Sequence, residues 1–178
     1  MTQFSREWAM PNAETFSILP IQLLLRRYIR PGMVVIDPFA RNAKFGTVTN
    51  DLNPQTTAEH HLDAREFLDL MIDQGLKAEV VIFDPPYSPR QISEVYKMSL
   101  RQVDMAATQN GRLYREVKER LVQCLAPDGL AISCGWNTAG FGKSFEMLEI
   151  LIVSHGGAHN DTLVTVERKL QNGLFDGK

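Results

Sequence analysis

The chain has 178 residues, 44% of them hydrophobic and 22% charged, with a formal charge of −2. That length suits one domain with a real core, and the near-neutral balance excludes a global basic field for nucleic acid, though local basic patches would suffice. Only Cys124 and Cys134 occur, and no apolar run approaches membrane-spanning length, so a disulfide scaffold and a membrane partner are not expected and the setting reads as cytoplasmic.

Residues 1–14 read as polar and irregular, with Trp8 and Pro11 as anchors. The spacing of Leu19, Leu23, Leu24 and Ile29 predicts a helix over 18–29, with Pro20 in its first turn and Pro31-Gly32 ending it. Val34-Val35-Ile36 is a short buried strand running into Asp37-Pro38-Phe39-Ala40. An acid leaving the carboxyl end of a strand is how open α/β sheets commonly meet nucleotide-type ligands, while capping of a following helix is the plain alternative. Thr47–Asn50 looks like the next strand. The stretch Ala40-Arg41-Asn42-Ala43-Lys44-Phe45-Gly46 is short for a parallel crossover. Any helix there is vestigial, or the strand pairing differs locally.

Asp51, just past the second strand, is placed to take both ribose hydroxyls of a nucleotide-like ligand; closing an Asx-turn is the competing role. Asp63 is positioned to cap a helix running through Leu76, with Phe67, Leu68, Met71 and Ile72 on its buried face. The His60-His61 pair lacks a third ligand, as do His155 and His159 further on, so no metal site is expected.

Val80-Val81-Ile82-Phe83 reads as a buried strand cut off by Asp84-Pro85-Pro86-Tyr87, because neither proline can donate a ladder hydrogen bond. A carboxylate, a carbonyl and an aromatic face are then held in fixed relation, which suits a planar ring bearing an exocyclic amine. Asp84 and the Pro85 carbonyl would accept from the amine, and Tyr87 would stack on the ring. The bland alternative is a strand-to-loop corner with a surface Asp and a packed Tyr. Beyond a polar run over 88–111, the pattern predicts a helix over 112–125 and a buried strand over 130–134. Trp136 and Asn137 follow on the ligand side of that strand, where Trp136 would either pack or wall a pocket that Asn137 could assist. Phe145–Leu148 is read as a last helix, and 149–154 with 161–167 as a hairpin that brings one antiparallel strand to the sheet.

Asp84-Pro85-Pro86-Tyr87 resembles the catalytic motif of amino-methyltransferases, which move a methyl from S-adenosylmethionine to an exocyclic nitrogen. A helix, an apolar strand and Asp37-Pro38-Phe39 are similar to the cofactor-binding start of that family, and together these motifs span roughly residues 15 to 90. The resemblance implies a single Rossmann-like class I methyltransferase domain over 1–178, with a mostly parallel twisted sheet and a C-terminal antiparallel hairpin. It implies S-adenosyl-L-methionine as cofactor, held by Phe16, Ser17, Asp37, Phe39, Ala40, Asp51, Leu52, Asp63 and Ala64. It also assigns Asp63 to the cofactor's adenine amine and makes Arg90, Lys97 and Arg101 candidates for phosphate contact. The family's glycine-rich turn after the first acid is replaced here by the Ala40–Gly46 stretch. The order of motifs resembles an adenine-specific DNA methyltransferase without a separate target-recognition domain, acting alone, as a homodimer or with a specificity partner. An rRNA guanine amino-methyltransferase and a non-catalytic subunit of the same fold are the alternatives.

Overall fold

The computed structural model describes residues 1–86, 110–157 and 159–171. Seven strands form among the described residues, most of them apolar runs too short for helices. These are β1 (Gln3–Trp8), β2 (Val35–Asp37), β3 (Val48–Thr49), β4 (Ala78–Phe83), β5 (Leu125–Gly135), β6 (Phe145–Ser154) and β7 (Thr162–Lys169). Among the described residues three helices join them: α1 (Leu19–Tyr28), α2 (Ala64–Asp73) and α3 (Asn110–Cys124), with a 3-10 turn at Thr15–Ser17.

The strands form one sheet in the order β1-β6-β7-β5-β4-β2-β3. All pairings are parallel except those of β7, which runs antiparallel to β5 and β6. Parallel strands need cover on both faces, and alternation along each strand supplies it. Ile36, Val81, Phe83 and Ala131 face α2 and α3, where Phe67, Leu68, Met71, Val117 and Leu121 are buried. Val35, Val80, Ile82 and Ile132 face the other way, onto Ile21, Leu24 and Leu25 of α1. Pro20 lies in the first turn of α1, where its missing N–H is harmless. Asp63 caps α2 by accepting a 2.9 Å bond from the Arg65 N–H.

Two expected features differ. Residues 3–8 are not irregular: β1 pairs in parallel with β6, from Gln3 opposite Glu149 to Trp8 opposite Ser154. Side chains hold it there. Arg6 Nε donates to Ser154 Oγ at 2.9 Å, and the His155 ring, 6% exposed, donates from Nδ1 to the Ala9 carbonyl at 2.8 Å while Nε2 accepts from the Thr162 hydroxyl. Trp8 is no anchor, since it stays 65% exposed. Phe145–Leu148, in turn, is the start of β6 rather than a helix, paired with Lys169 to Glu167 of β7. A bulge between Met147 and Glu149 shifts the alternation by one residue, which hides the strand period from a sequence reading. Among the described residues, no helix is long and apolar enough to cross a membrane.

Candidate functional site

Because β2, β3 and β4 are parallel, their carboxyl ends open on the same edge of the sheet. Register then brings the acids together. Asp37 sits opposite Thr49, two residues before Asp51, and Ile36 lies opposite Val81, three residues before Asp84. A cavity of about 900 Å³ opens above that edge. Asp51, Leu52, Asp63 and Ala64 line it on one side, and Asp84, Pro85 and Pro86 form part of its wall. Phe16 and Ser17 reach it from the 3-10 turn, while Phe39 and Ala40 come from the turn after β2.

Residues 38–47 carry no helix, and the chain passes directly between two parallel neighbours. Two features replace the glycines. Arg41 adopts the left-handed conformation, with φ of 49°, and its N–H donates to Asp51 Oδ2 at 3.1 Å. Gly46 stands where a Cβ would come within 2.7 Å of Thr49 Cγ2 and 3.0 Å of Asp37 Cβ, so the one glycine of the turn is required by packing. Asn50, fully buried, ties the site together. Its amide donates to the Pro38 and Leu62 carbonyls at 3.2 and 3.0 Å, and its oxygen accepts from the Leu62 N–H at 2.9 Å. Sequence reading passed over Asn50, because a single polar residue after a strand looks like any turn former.

Each acid has its own surroundings. Asp51 is 8% exposed; Oδ1 accepts from the Asn53 N–H at 2.9 Å, and burial pushes its carboxyl up. Asp63 is also committed, since both its oxygens accept from the Arg65 guanidinium, at 2.9 and 3.2 Å, and Arg65 continues to Glu116 on α3. Asp37 is fully buried and does not itself line the cavity, although the next residue, Pro38, does. Its Oδ1 accepts from the Phe39 N–H at 3.1 Å, and its Oδ2 has no partner among the described residues. Burial raises its pKa to about 8, with Asp84 and Asp51 adding to the effect and the Phe39 N–H opposing it.

The raised pKa sets a pH dependence. In the unfolded chain an Asp releases its proton near pH 4, whereas the folded protein keeps it until about pH 8. Between those values the folded state binds more protons, so stability falls as pH rises, by up to ~1.4 kcal/mol per unit. Asp37→Asn cannot ionise. Urea unfolding of this variant is expected to match the wild type near pH 4 and to show a growing advantage up to pH 8. Parallel profiles for the two proteins would rule out Asp37 as the titrating group.

Not every expected residue comes to this cavity. Trp136 is 52% exposed and Asn137 lies in the open loop after β5, where its Oδ1 accepts from the Ala139 N–H at 3.0 Å; neither lines the cavity. Tyr87, Arg90, Lys97 and Arg101 lie outside the described residues. Two contacts beside Asp84 come from α3. Tyr114 donates its hydroxyl to the Pro86 carbonyl, and Lys118 places Nζ 5.0 Å from the centre of the Phe83 ring.

No protein-family model matches the sequence, and no curated protein matches it. Solved structures do. NSun6 from Pyrococcus horikoshii with SFG is similar over 84% of this chain and 52% of its own, with a TM-score of 0.56 and 13% identity. TrmN from Thermus thermophilus matches over 86% of this chain and 49% of its own, at 0.52 and 17%. The N-methyltransferase NodS from Bradyrhizobium japonicum WM9 matches over 90% and 100%, at 0.50 and 12%. The chain thus spans about half the length of NSun6 and TrmN. What these likenesses share is the architecture, and the chain has the Rossmann-like fold of methyltransferases, a mostly parallel sheet completed by the antiparallel β6–β7 hairpin.

Proposed function

We propose that the protein transfers a methyl group from S-adenosylmethionine to the exocyclic amine of adenine in DNA. One observation carries the reading: the carboxyl ends of β3 and β4 bring Asp51 and Asp84 to a single cavity, with Asp63 on its wall and Pro38, the residue after Asp37, beside them. A cofactor set and a reacting set therefore share one space. Fold relatives support the cofactor, since NSun6 was solved with SFG, an analogue of S-adenosylmethionine.

The residues fit that cofactor. Asp51 suits the ribose hydroxyls, and Asp37, which does not line the cavity, would act through Phe39, whose N–H it holds. Phe16, Ser17, Phe39 and Ala40 would enclose the methionine end, and Leu52, Asp63 and Ala64 the adenine. When bound, S-adenosylmethionine supplies an activated methyl on sulfur, so the protein mainly positions the two reactants. Adenine's amine is a poor nucleophile because its lone pair is delocalised into the ring. Hydrogen bonds from the amine to Asp84 and the Pro85 carbonyl favour the tetrahedral nitrogen that attacks. Tyr87 would stack on the base, a contact of about 1–3 kcal/mol. A duplex target must first be flipped out of the stack. Arg90, Trp136 and Asn137 remain candidates for holding the strand.

The competing reading is methylation of a guanine amine in RNA, favoured by the RNA methyltransferases NSun6 and TrmN among the fold relatives. Labelled S-adenosylmethionine, offered with unmethylated duplex DNA, single-stranded DNA and rRNA, separates the two. Methyladenine in DNA, identified by mass, is the expected product. Methylguanine in RNA would promote the competitor. Absence of both transfer and cofactor binding would leave a non-catalytic subunit.

A further inference from the structure

The residues on either side of Asp84 are gripped by one turn of α3. Tyr114 meets the Phe83 ring edge-on, with centroids 5.8 Å apart and planes at 88°, and its hydroxyl bonds the Pro86 carbonyl. Lys118, four residues on, lies 5.0 Å from the Phe83 centroid and 5.2 Å from that of Phe141, and donates to the Gly140 carbonyl at 2.5 Å. Gly140 must be glycine for this approach: φ is +55°, and a Cβ there would lie 2.2 Å from Glu167 Oε1. Glu167 is itself buried and accepts from the Phe141 N–H at 2.8 Å. A cation, three aromatic rings and a buried carboxylate thus lock the end of β4 to the loop after β5.

The chain chemistry says why such a grip is needed. Each proline fixes its own φ and confines the residue before it to extended backbone, so Asp84 and Pro85 have little torsional freedom. Pro86 is different. Its ψ is the first torsion past the carboxylate that no following proline restrains, and its carbonyl is the group that Tyr114 holds.

We propose that Tyr114 and Lys118 form a brace that positions Asp84, Tyr114 by fixing the Pro86 carbonyl and Lys118 by fixing the Phe83 ring. Both are positioning residues, since they act through Phe83 and Pro86 rather than on the reacting atoms. Tyr114 keeps its proton for the hydrogen bond throughout the neutral range, its pKa pushed up to about 12 by burial and then by the nearby Asp84. The kinetic arm of the test rests on the methyl-transfer reading; the spectroscopic arm does not.

Tyr114→Phe keeps the ring and removes only the hydrogen bond. Turnover is expected to fall ~10–100-fold, with KM for S-adenosylmethionine and the melting temperature unchanged. The carboxyl carbon of Asp84, followed by selective ¹³C labelling and NMR, should shift or broaden in the same variant. Full turnover in Tyr114→Phe, or an Asp84 resonance identical to wild type, overturns the brace. Should Tyr114→Phe fail to fold, Lys118→Met is judged by the same two readouts. If the wild type transfers no methyl to DNA or RNA, the methyltransferase reading fails, and the Asp84 resonance alone decides for or against the brace.

Discussion

Asp84→Ala lowers methyl transfer by ~10³-fold or more while affinity for S-adenosylmethionine stays within about twofold. The asymmetry follows from position. Asp84 lies at the end of β4 on the cavity wall, whereas the residues assigned to the cofactor come from the 3-10 turn, the β2 and β3 ends and the start of α2. On the proposed mechanism, removing the carboxylate would take away an acceptor that acts on the amine as its nitrogen changes shape, an interaction strongest in the transition state, so kcat should fall rather than cofactor binding. Single-turnover transfer beside calorimetric titration of the cofactor measures both quantities. Retained turnover would remove Asp84 from the mechanism, and a parallel loss of cofactor binding would make it part of the cofactor site.

Asp51→Asn should weaken cofactor binding by ~100-fold, close to 3 kcal/mol, and lower the melting temperature as well. Both carboxylate oxygens of Asp51 already accept backbone N–H groups, from Arg41 at 3.1 Å and Asn53 at 2.9 Å. An asparagine has one oxygen only. Its NH₂ must face one of the two backbone donors, and the orphaned N–H is left poorly solvated inside the turn. Arg41 then loses the bond that rewards its left-handed conformation, and the turn shared with Phe39 and Ala40 loosens. Titration of the variant with S-adenosylmethionine, paired with thermal melting, checks both effects; wild-type affinity would mean that the ribose is held elsewhere.

The strand that ends at Asp84 was readable because its signals are local. Four apolar residues closed by two prolines can hardly be anything but a strand stopped at Asp84, and the parallel sheet then delivers Asp37 and Asp51 to the same edge. Elements whose character comes from distant partners were hidden. β1 is a polar edge strand, exposed along most of its length, with too little buried face to leave an alternating pattern. The first turn of β6 reads as helix because Phe145-Glu146-Met147-Leu148 favours it locally, and only the ladder to β7 overrules that preference. Tyr114 and Lys118 were overlooked for a similar reason. They flank the obvious core positions Leu113 and Val117, and a half-buried tyrosine and lysine on an amphipathic helix look like its solvent side. Arg65, which engages both oxygens of Asp63, was likewise unreadable, because a side chain two residues past a cap has no fixed direction until α3 packs beside it.

The pairing of β1 with β6 governs the order in which the molecule can assemble during synthesis. Gln3 emerges from the ribosome well before its partner Glu149, which is made only after β2 to β5 and α1 to α3. Among the described residues the ladder of β1 is with β6 alone, so that segment waits unpaired until β6 has been made and offers an edge. The entropy of closing so long a loop grows only slowly with its length, and by then most of it has been removed by the sheet already folded in between. Strand β1 therefore works as a latch: it closes only once β6 is in the sheet, and without it the edge of β6 stays open to pair with a neighbour instead.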